Sequence, residues 1–297
     1  MNGTLCGAID EKLLAKIRSI QIHAKYLVND AFAGEYESAF KGRGIAFEEV
    51  REYYPGDDIR RIDWNVMART GRPHVKIFHD ERELTLLFLV DISASSHFGT
   101  VSKFKNEIAA EITALLSVAA MQNNDKVGLI VFSDEIERYL PPKKGRAHTW
   151  RLIRDILSYR SKSQRTNFQK PIDFLNTVLK RKAIAFLLSD FQGVDFEKTL
   201  RATAKHHELI AVSIQDPREM ELPPIGFIEL EDAETGESVL IDTRKSFLRT
   251  QFTKSVRELR RDQELFFRSA GIDSLYIETD KPYVDRIVRY FREREKK

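Results

Sequence analysis

The sequence predicts an α/β fold: a doubly wound, mainly parallel sheet, preceded by an N-terminal helix and a small irregular, β-rich segment. Three observations predict it. Residues 84–90, LTLLFLV, form an almost wholly apolar run that ends abruptly in Asp91, and such a run bounded by polar residues reads as a strand buried on both faces. Residues 126–132, KVGLIVF, and 183–188, AIAFLL, repeat the pattern. The segments between place apolar residues three and four apart, so strands alternate with helices as in βαβ units.

Residues 9–28 carry Leu13, Ile17, Ile20, Ala24 and Leu27 on one stripe, which predicts an amphipathic helix. Lys12, Lys16, Arg18 and Lys25 are assigned to its solvated face. From 32 to 82 the periodicity breaks, charge is dense and glycines recur at Gly34, Gly42, Gly44, Gly56 and Gly71. That segment is expected to be compact and irregular or β-rich. The division drawn from this is 1–83 for the helix and segment, and 84–297 for the α/β domain.

The helix after Asp91 should turn Phe104, Ile108, Ile112, Leu115, Leu116 and Ala119 inward and Lys103, Lys105 and Glu111 outward. Ser133, Asp134 and Glu135 should fold residues 136–140 back as an antiparallel edge strand, with 141–145 as a loop. Helices follow at 150–159 and 171–179, then the strand at 183–188, a helix at 196–206 and a strand at 209–214. A hairpin is expected around Glu234-Thr235-Gly236-Glu237. A long polar helix over 246–270, stopped by Gly271, leads to a strand at 274–277 and a helix at 282–292.

Composition excludes several classes. The chain's 297 residues suffice for a substantial core. Its 48 basic and 45 acidic side chains leave +3, too little to argue for nucleic acid or an anionic membrane as partner. Cys6 is the sole cysteine, so an intramolecular disulfide and a Cys-rich metal site are excluded and a reducing compartment fits. No apolar stretch approaches the roughly 20 residues of a membrane-spanning helix, and residues 1–12 do not read as a signal peptide. The expected location is the cytoplasm, without membrane insertion.

The chemistry gathers at strand ends, where open α/β sheets bind ligands. Asp91, Ser93 and Ser95 follow the first strand, Asp190 follows the strand at 183–188, and Thr166 lies in the loop before the preceding helix. Together they form an all-oxygen set of the kind hard cations prefer, Mg²⁺ first and Mn²⁺ or Ca²⁺ as substitutes. Two carboxylates roughly neutralise a dication, leaving an open position for a carboxylate from another protein. Read separately, Asp91, Ser93 and Ser95 also suit a turn and helix cap, as does Asp190.

Upstream, Pro55-Gly56-Asp57-Asp58 is a turn signal followed by Arg60, Arg61, Asp63 and Trp64. These side chains suit either an ion-pair and stacking cluster that holds the loop rigid or an arginine patch that binds a phosphate or a partner. The neighbouring acids favour the first.

Enzyme signatures are missing. No Gly-rich phosphate loop with Lys and Ser or Thr is present, and Ser93 stands where an aspartyl phosphotransferase would want a second acid. Neither serine sits in a GxSxG elbow, and His74, His79, His97, His148, His206 and His207 form no HExxH pattern. The chain is therefore read as a non-enzyme, with a Mg²⁺-dependent hydrolase at the same crevice as the alternative.

The order strand, DxSxS, helix, paired strands, Thr loop and strand ending in Asp resembles a von Willebrand factor A (vWA) domain, a Rossmann-like fold with a metal-ion-dependent adhesion site. That resemblance implies that Ser93, Ser95 and Thr166 ligate a metal, that Asp91 and Asp190 act directly or through water, and that a partner's acid completes the shell. VREYYPGDDIRRIDWNVMARTGRPHVKIF running into ERELTLLFLVDISASS resembles, more specifically, the bacterial family called domain of unknown function 58. Members carry a vWA-like domain and are commonly encoded beside MoxR-type AAA+ ATPases, which implies a MoxR-type partner and a role as a chaperone-like or assembly adaptor. A vWA scaffold with a vestigial metal site, binding through Arg60, Arg61 and Trp64, is the other reading. The chain departs from the vWA pattern at Phe191, where a glycine is usual after the aspartate, and in having no glycine before Thr166. Longer relatives have N-terminal membrane segments, and this chain is expected to be a soluble version.

Overall fold

The structure, a computed structural model, describes residues 11–28, 33–40, 46–79, 83–101, 103–159, 161, 163, 165–192, 196–231 and 236–295. Two helices, α1 (Glu11–Leu27) and α2 (Ala33–Phe40), precede a hairpin in which β1 (Ala46–Glu52) and β2 (His74–His79) bracket α3 (Trp64–Thr70). The main body follows with β3 (Thr85–Asp91), α4 (Lys105–Gln122), β4 (Lys126–Phe132), β5 (Ile136–Lys143), α5 (Arg146–Ser158), α6 (Gln169–Val178), β6 (Ile184–Ser189), α7 (Glu197–Thr203) and β7 (Glu208–Gln215). It closes with α8 (Pro217–Met220), the pair β8 (Phe227–Glu231) and β9 (Ser238–Asp242), α9 (Ser246–Ala270), β10 (Asp273–Glu278) and α10 (Tyr283–Glu295).

The sheet has six strands in the order β10-β7-β6-β3-β4-β5, all parallel except β5. The expected fold class is therefore the observed one. Alternation along β3 supplies both faces, as a fully buried parallel strand must. Leu86, Phe88 and Val90 pack with α1, α2, α4, α5 and α10, while Leu87 and Leu89 pack with α6, α7 and the end of α9. The edge strand β5 continues through Pro141 and Pro142, where a loop was expected. Proline is tolerated there because an edge strand has amides that need no ladder partner.

The irregular segment at 32–82 proves more ordered than its sequence implied, with two helices and a β hairpin. Gly42, Gly44 and residues 234 and 235 of the second hairpin turn lie outside the described residues, as does Cys6. The strands flanking that turn, β8 and β9, pair antiparallel as expected. Of the drawn division at residue 83, the two N-terminal helices share the main core: Ile20, Ala24, Tyr36 and Phe40 are buried with residues of β3 and α4. Lys16, placed on the solvated face of α1, ion-pairs with Glu107 of α4.

Helix α4 departs from the expected single stripe. Covered by α1, α5 and the sheet, it buries 14 of its 18 residues, Lys105 and Glu111 among them, and leaves Phe104 exposed at its start. The stripe model failed because a helix packed on several sides has no solvated face along most of its length. Glu111 is compensated there by Lys103 Nζ at 2.7 Å.

One buried bond ties the N-terminal helices to the sheet. Tyr36 Oη donates to Asp125 Oδ2 at 2.8 Å, and Asp125 Oδ1 accepts from the Leu84 amide at 2.9 Å. Tyr36→Phe should cost about 1–3 kcal/mol, because it strips a partner from a buried carboxylate; urea denaturation of the two proteins measures it, and a change within error would refute this role.

Candidate functional site

In a doubly wound sheet the crevice opens where successive connections leave in opposite directions. Here that point lies between β3 and β6, since the chain passes from β3 to β4 on one side and returns to β6, β7 and β10 on the other. Asp91 is the last residue of β3. Because Val90 pairs with Leu188, Ser189 and Asp190 emerge directly beside it.

Asp91 is 4% exposed. Its Oδ1 accepts from the Ser93 amide at 2.9 Å and its Oδ2 from Ser189 Oγ at 2.7 Å. Burial, and then the charge of Asp190, push its carboxyl up to about 7. Ser93 and Ser95 follow on a 3₁₀ turn spanning Ala94–His97, with their hydroxyl oxygens 3.2 Å apart. Asp190 Oδ1 accepts from the Gln192 amide at 3.1 Å.

Its other oxygen is taken. Lys105 Nζ, on the first residue of α4, donates to Asp190 Oδ2 at 2.7 Å and to Glu219 Oε1 of α8 at 2.5 Å. The lysine side chain is 3% exposed. Burial alone would lower its ammonium, but the Asp190 and Glu219 carboxylates outweigh burial and hold it above its usual value. A small void of about 10 Å³, the scale of one water, lies where Asp91, Ser95, Lys105 and Asp190 meet the apolar Leu188 and Ile214.

A third strand end joins the cluster. Asp216, just past β7, accepts from the Thr100 amide at 2.8 Å, Thr100 Oγ1 at 2.6 Å, the Arg218 amide at 2.9 Å and Thr279 Oγ1 at 3.2 Å. Burial works against this charge, but those donors hold the carboxyl below the usual range. Asp216 thereby fixes the loop that follows Ser93 and Ser95.

Of the expected set, Asp91, Ser93, Ser95 and Asp190 converge. Thr166 is half-buried in a loop pinned to the end of β4 by the Asn167 amide on the Ser133 carbonyl, 3.0 Å away. Among the described residues no side-chain hydrogen bond joins it to the other four. In kind, the oxygens fit a hard divalent cation. Among the described residues, however, no three His, Cys, Asp or Glu side chains cluster as metal ligands, so such a site would lean on hydroxyls and on an Asp190 that Lys105 already holds. Lys105, Ser189, Asp216 and Glu219 were missed by the sequence reading. A signal existed for Asp216, since AVSIQD repeats the pattern of an apolar run ending in an acid.

Phe191 occupies the glycine-like position with φ +54°, a conformation that strains a residue with a Cβ. Its ring explains the choice. It stacks on Phe168 at 5.6 Å and meets Phe196 and Phe267 edge-on, anchoring the loop after Asp190 in the lower core.

At the PGDDIRRIDW block the acids hold backbone. Asp57 receives Arg51 through two bonds of 2.8 Å. Asp58 accepts from the Arg60 amide and caps the 3₁₀ turn, and Asp63 accepts from the Asn65 and Val66 amides and caps α3. The rigid cluster therefore forms around Arg51, while no carboxylate among the described residues pairs with Arg60. Trp64 is 64% exposed, as are Tyr54 and Ile59 at 63%. The side chain of Arg61 lies outside the described set.

A family model described as "Protein of unknown function DUF58" matches residues 49–262. The chain is a DUF58 protein. It is 32% identical over 296 residues to "Uncharacterized protein Rv1480" of Mycobacterium tuberculosis, covering 98% of this chain and 92% of that one. Among solved structures it resembles an "aerotolerance-related membrane protein" of Bacteroides fragilis, at 14% identity and TM-score 0.44, over 72% of this chain and 98% of the other. It also resembles the "SpRpn10 VWA domain" at 12% identity and TM-score 0.39, over 70% and 95%. These two are likenesses of fold alone. The cytoplasmic expectation is corrected: solved structures that this chain resembles are named as membrane proteins. Among the described residues no helix is long and apolar enough to cross a membrane.

Asp216→Asn should destabilise the DUF58 protein by about 1–3 kcal/mol at pH 7, because the amide cannot accept from all of the donors gathered on Asp216. The carboxyl lies below its unfolded value of about 3.9, so its contribution is complete above that value and fades as pH falls through the folded one. The gap between the two proteins should therefore narrow near pH 3; an equal gap at both pH values in denaturant melts would contradict the assignment.

Proposed function

We propose that this DUF58 protein is a metal-dependent protein-interaction adaptor, not an enzyme, that acts with a MoxR-type AAA+ ATPase in protein assembly or chaperoning. The observation that carries the reading is the meeting of Asp91, Ser93, Ser95 and Asp190 at the switch point of the sheet. A divalent cation, Mg²⁺ or in its place Mn²⁺ or Ca²⁺, would be held by these oxygens, with Thr166, in the loop held at the end of β4, as the further ligand that the resemblance implies. When bound, such an ion supplies an open coordination position for a partner's carboxylate. The chain's own residues do the positioning: the Ser93 amide and Ser189 hydroxyl orient Asp91, and Asp216 fixes the following loop through Thr100.

Mg²⁺ at about one hundred times its dissociation constant should stabilise the wild type by about 2.7 kcal/mol, read as a rise in melting temperature. Asp91→Asn should fold and lose that rise. An unchanged wild-type melting temperature at millimolar Mg²⁺ would sink the metal reading. Capture of a purified MoxR-type ATPase should fall with EDTA and with Asp91→Asn.

A second reading has its own observation, the exposure of Tyr54, Ile59 and Trp64 beside Arg60. Aromatic and arginine side chains are the usual anchors of protein interfaces, and this surface needs no metal. Trp64→Ala should weaken capture by at least about tenfold and to the same extent with or without EDTA if partner binding runs through this block; an effect confined to the Mg²⁺-loaded protein would assign Trp64 to the adhesion site instead.

A further inference from the structure

We propose that Lys105 is a tethered cation that competes with a divalent ion for Asp190, so that the two occupy that arm of the site in alternation. The inference rests on the metal reading above and names its regulation. Lys105 Nζ lies 2.7 Å from Asp190 Oδ2 and 2.5 Å from Glu219 Oε1, and 5.8 Å over the Phe98 ring. It reaches this point from α4, while Asp190 follows β6 and Glu219 belongs to α8, so one ammonium joins three crossover connections at the mouth of the crevice.

Two properties make this a competition. An ammonium and a dication cannot share one carboxylate in a buried setting without strong repulsion, since charges there are little screened. Asp190 Oδ2 is already engaged by the Lys105 ammonium at 2.7 Å, so an ion that takes that oxygen requires the lysine to withdraw first. Its flexible four-carbon stem allows that withdrawal, which the planar fork of an arginine would resist. A metal that binds only the fraction of molecules with Lys105 withdrawn shows an affinity reduced by that fraction. Glu219 gives the ammonium a second anchor, because its Oε1 already accepts from Lys105 Nζ and its Oε2 is fixed by the Asp216 amide at 2.9 Å.

The test is Mg²⁺ titration calorimetry on the full chain. Lys105→Met should bind Mg²⁺ at least about tenfold more tightly than wild type. Lys103→Met is the control. It removes the same charge two residues away, from a side chain 42% exposed and paired with Glu111, and should change the affinity less than about twofold. Equal affinities for wild type and Lys105→Met, or equal tightening by both variants, would overturn it while leaving the metal site intact. No binding by either the wild type or Lys105→Met would overturn the metal site and the competition together. If Lys105→Met fails to fold by circular dichroism, Lys105→Met with Glu219→Gln removes one stranded anion and is judged by the same criterion.

Discussion

Strand β3 is buried on both faces and hydrogen-bonded on both edges, and the rest of the chain is arranged to meet that requirement. Its backbone groups can be satisfied only by β4 and β6. Its side chains need a helical layer above and below, which α1, α2, α4, α5 and α10 supply on one face and α6, α7 and the end of α9 on the other. Even the N-terminal helices are recruited, through the Tyr36 bond to Asp125. Such a strand must end where layers diverge, so the first polar residue after Val90 emerges at a crevice.

That geometry sets an electrostatic problem. Three adjacent strands, β3, β6 and β7, each deliver an aspartate to the same edge, and all three are buried. Each is compensated differently. Asp216 collects four hydrogen bonds from neutral donors and stays charged with ease. Asp190 takes the Lys105 ammonium. Asp91 is met by neutral donors of Ser93 and Ser189, feels Asp190, and its carboxyl rises to about 7. The least compensated carboxylate thus stands beside two hydroxyls, the arrangement most improved by an added cation.

The family block is built on a different principle. Its acids are used up in capping turns and in holding Arg51, which frees its aromatic residues to face outward. Rigid backbone with exposed Trp64 and Tyr54 is suited to contact, and it sits on a hairpin outside the six-stranded sheet.

Local pattern carried much of this protein. The apolar runs, their abrupt ends at Asp91 and Asp190, the edge hairpin after Ser133, and a long helix spanning Ser246–Ala270 with left-handed Gly271 at its end all follow from periodicity and turn chemistry. What local pattern could not carry was the burial of charge. Lys105 sits on a helix turn that reads as solvated, and only the packing of α4 and α8 against the ends of β6 and β7 makes it a buried partner of Asp190 and Glu219. Phe191 likewise reads as a misplaced glycine until Phe168, Phe196 and Phe267 close around its ring. The sequence by itself determined the strands and which oxygens end them, because a strand's period and its polar stop are properties of neighbouring residues. Tertiary structure alone decided which charges meet, because a salt bridge between residues 85 positions apart depends on strand order and crossover packing.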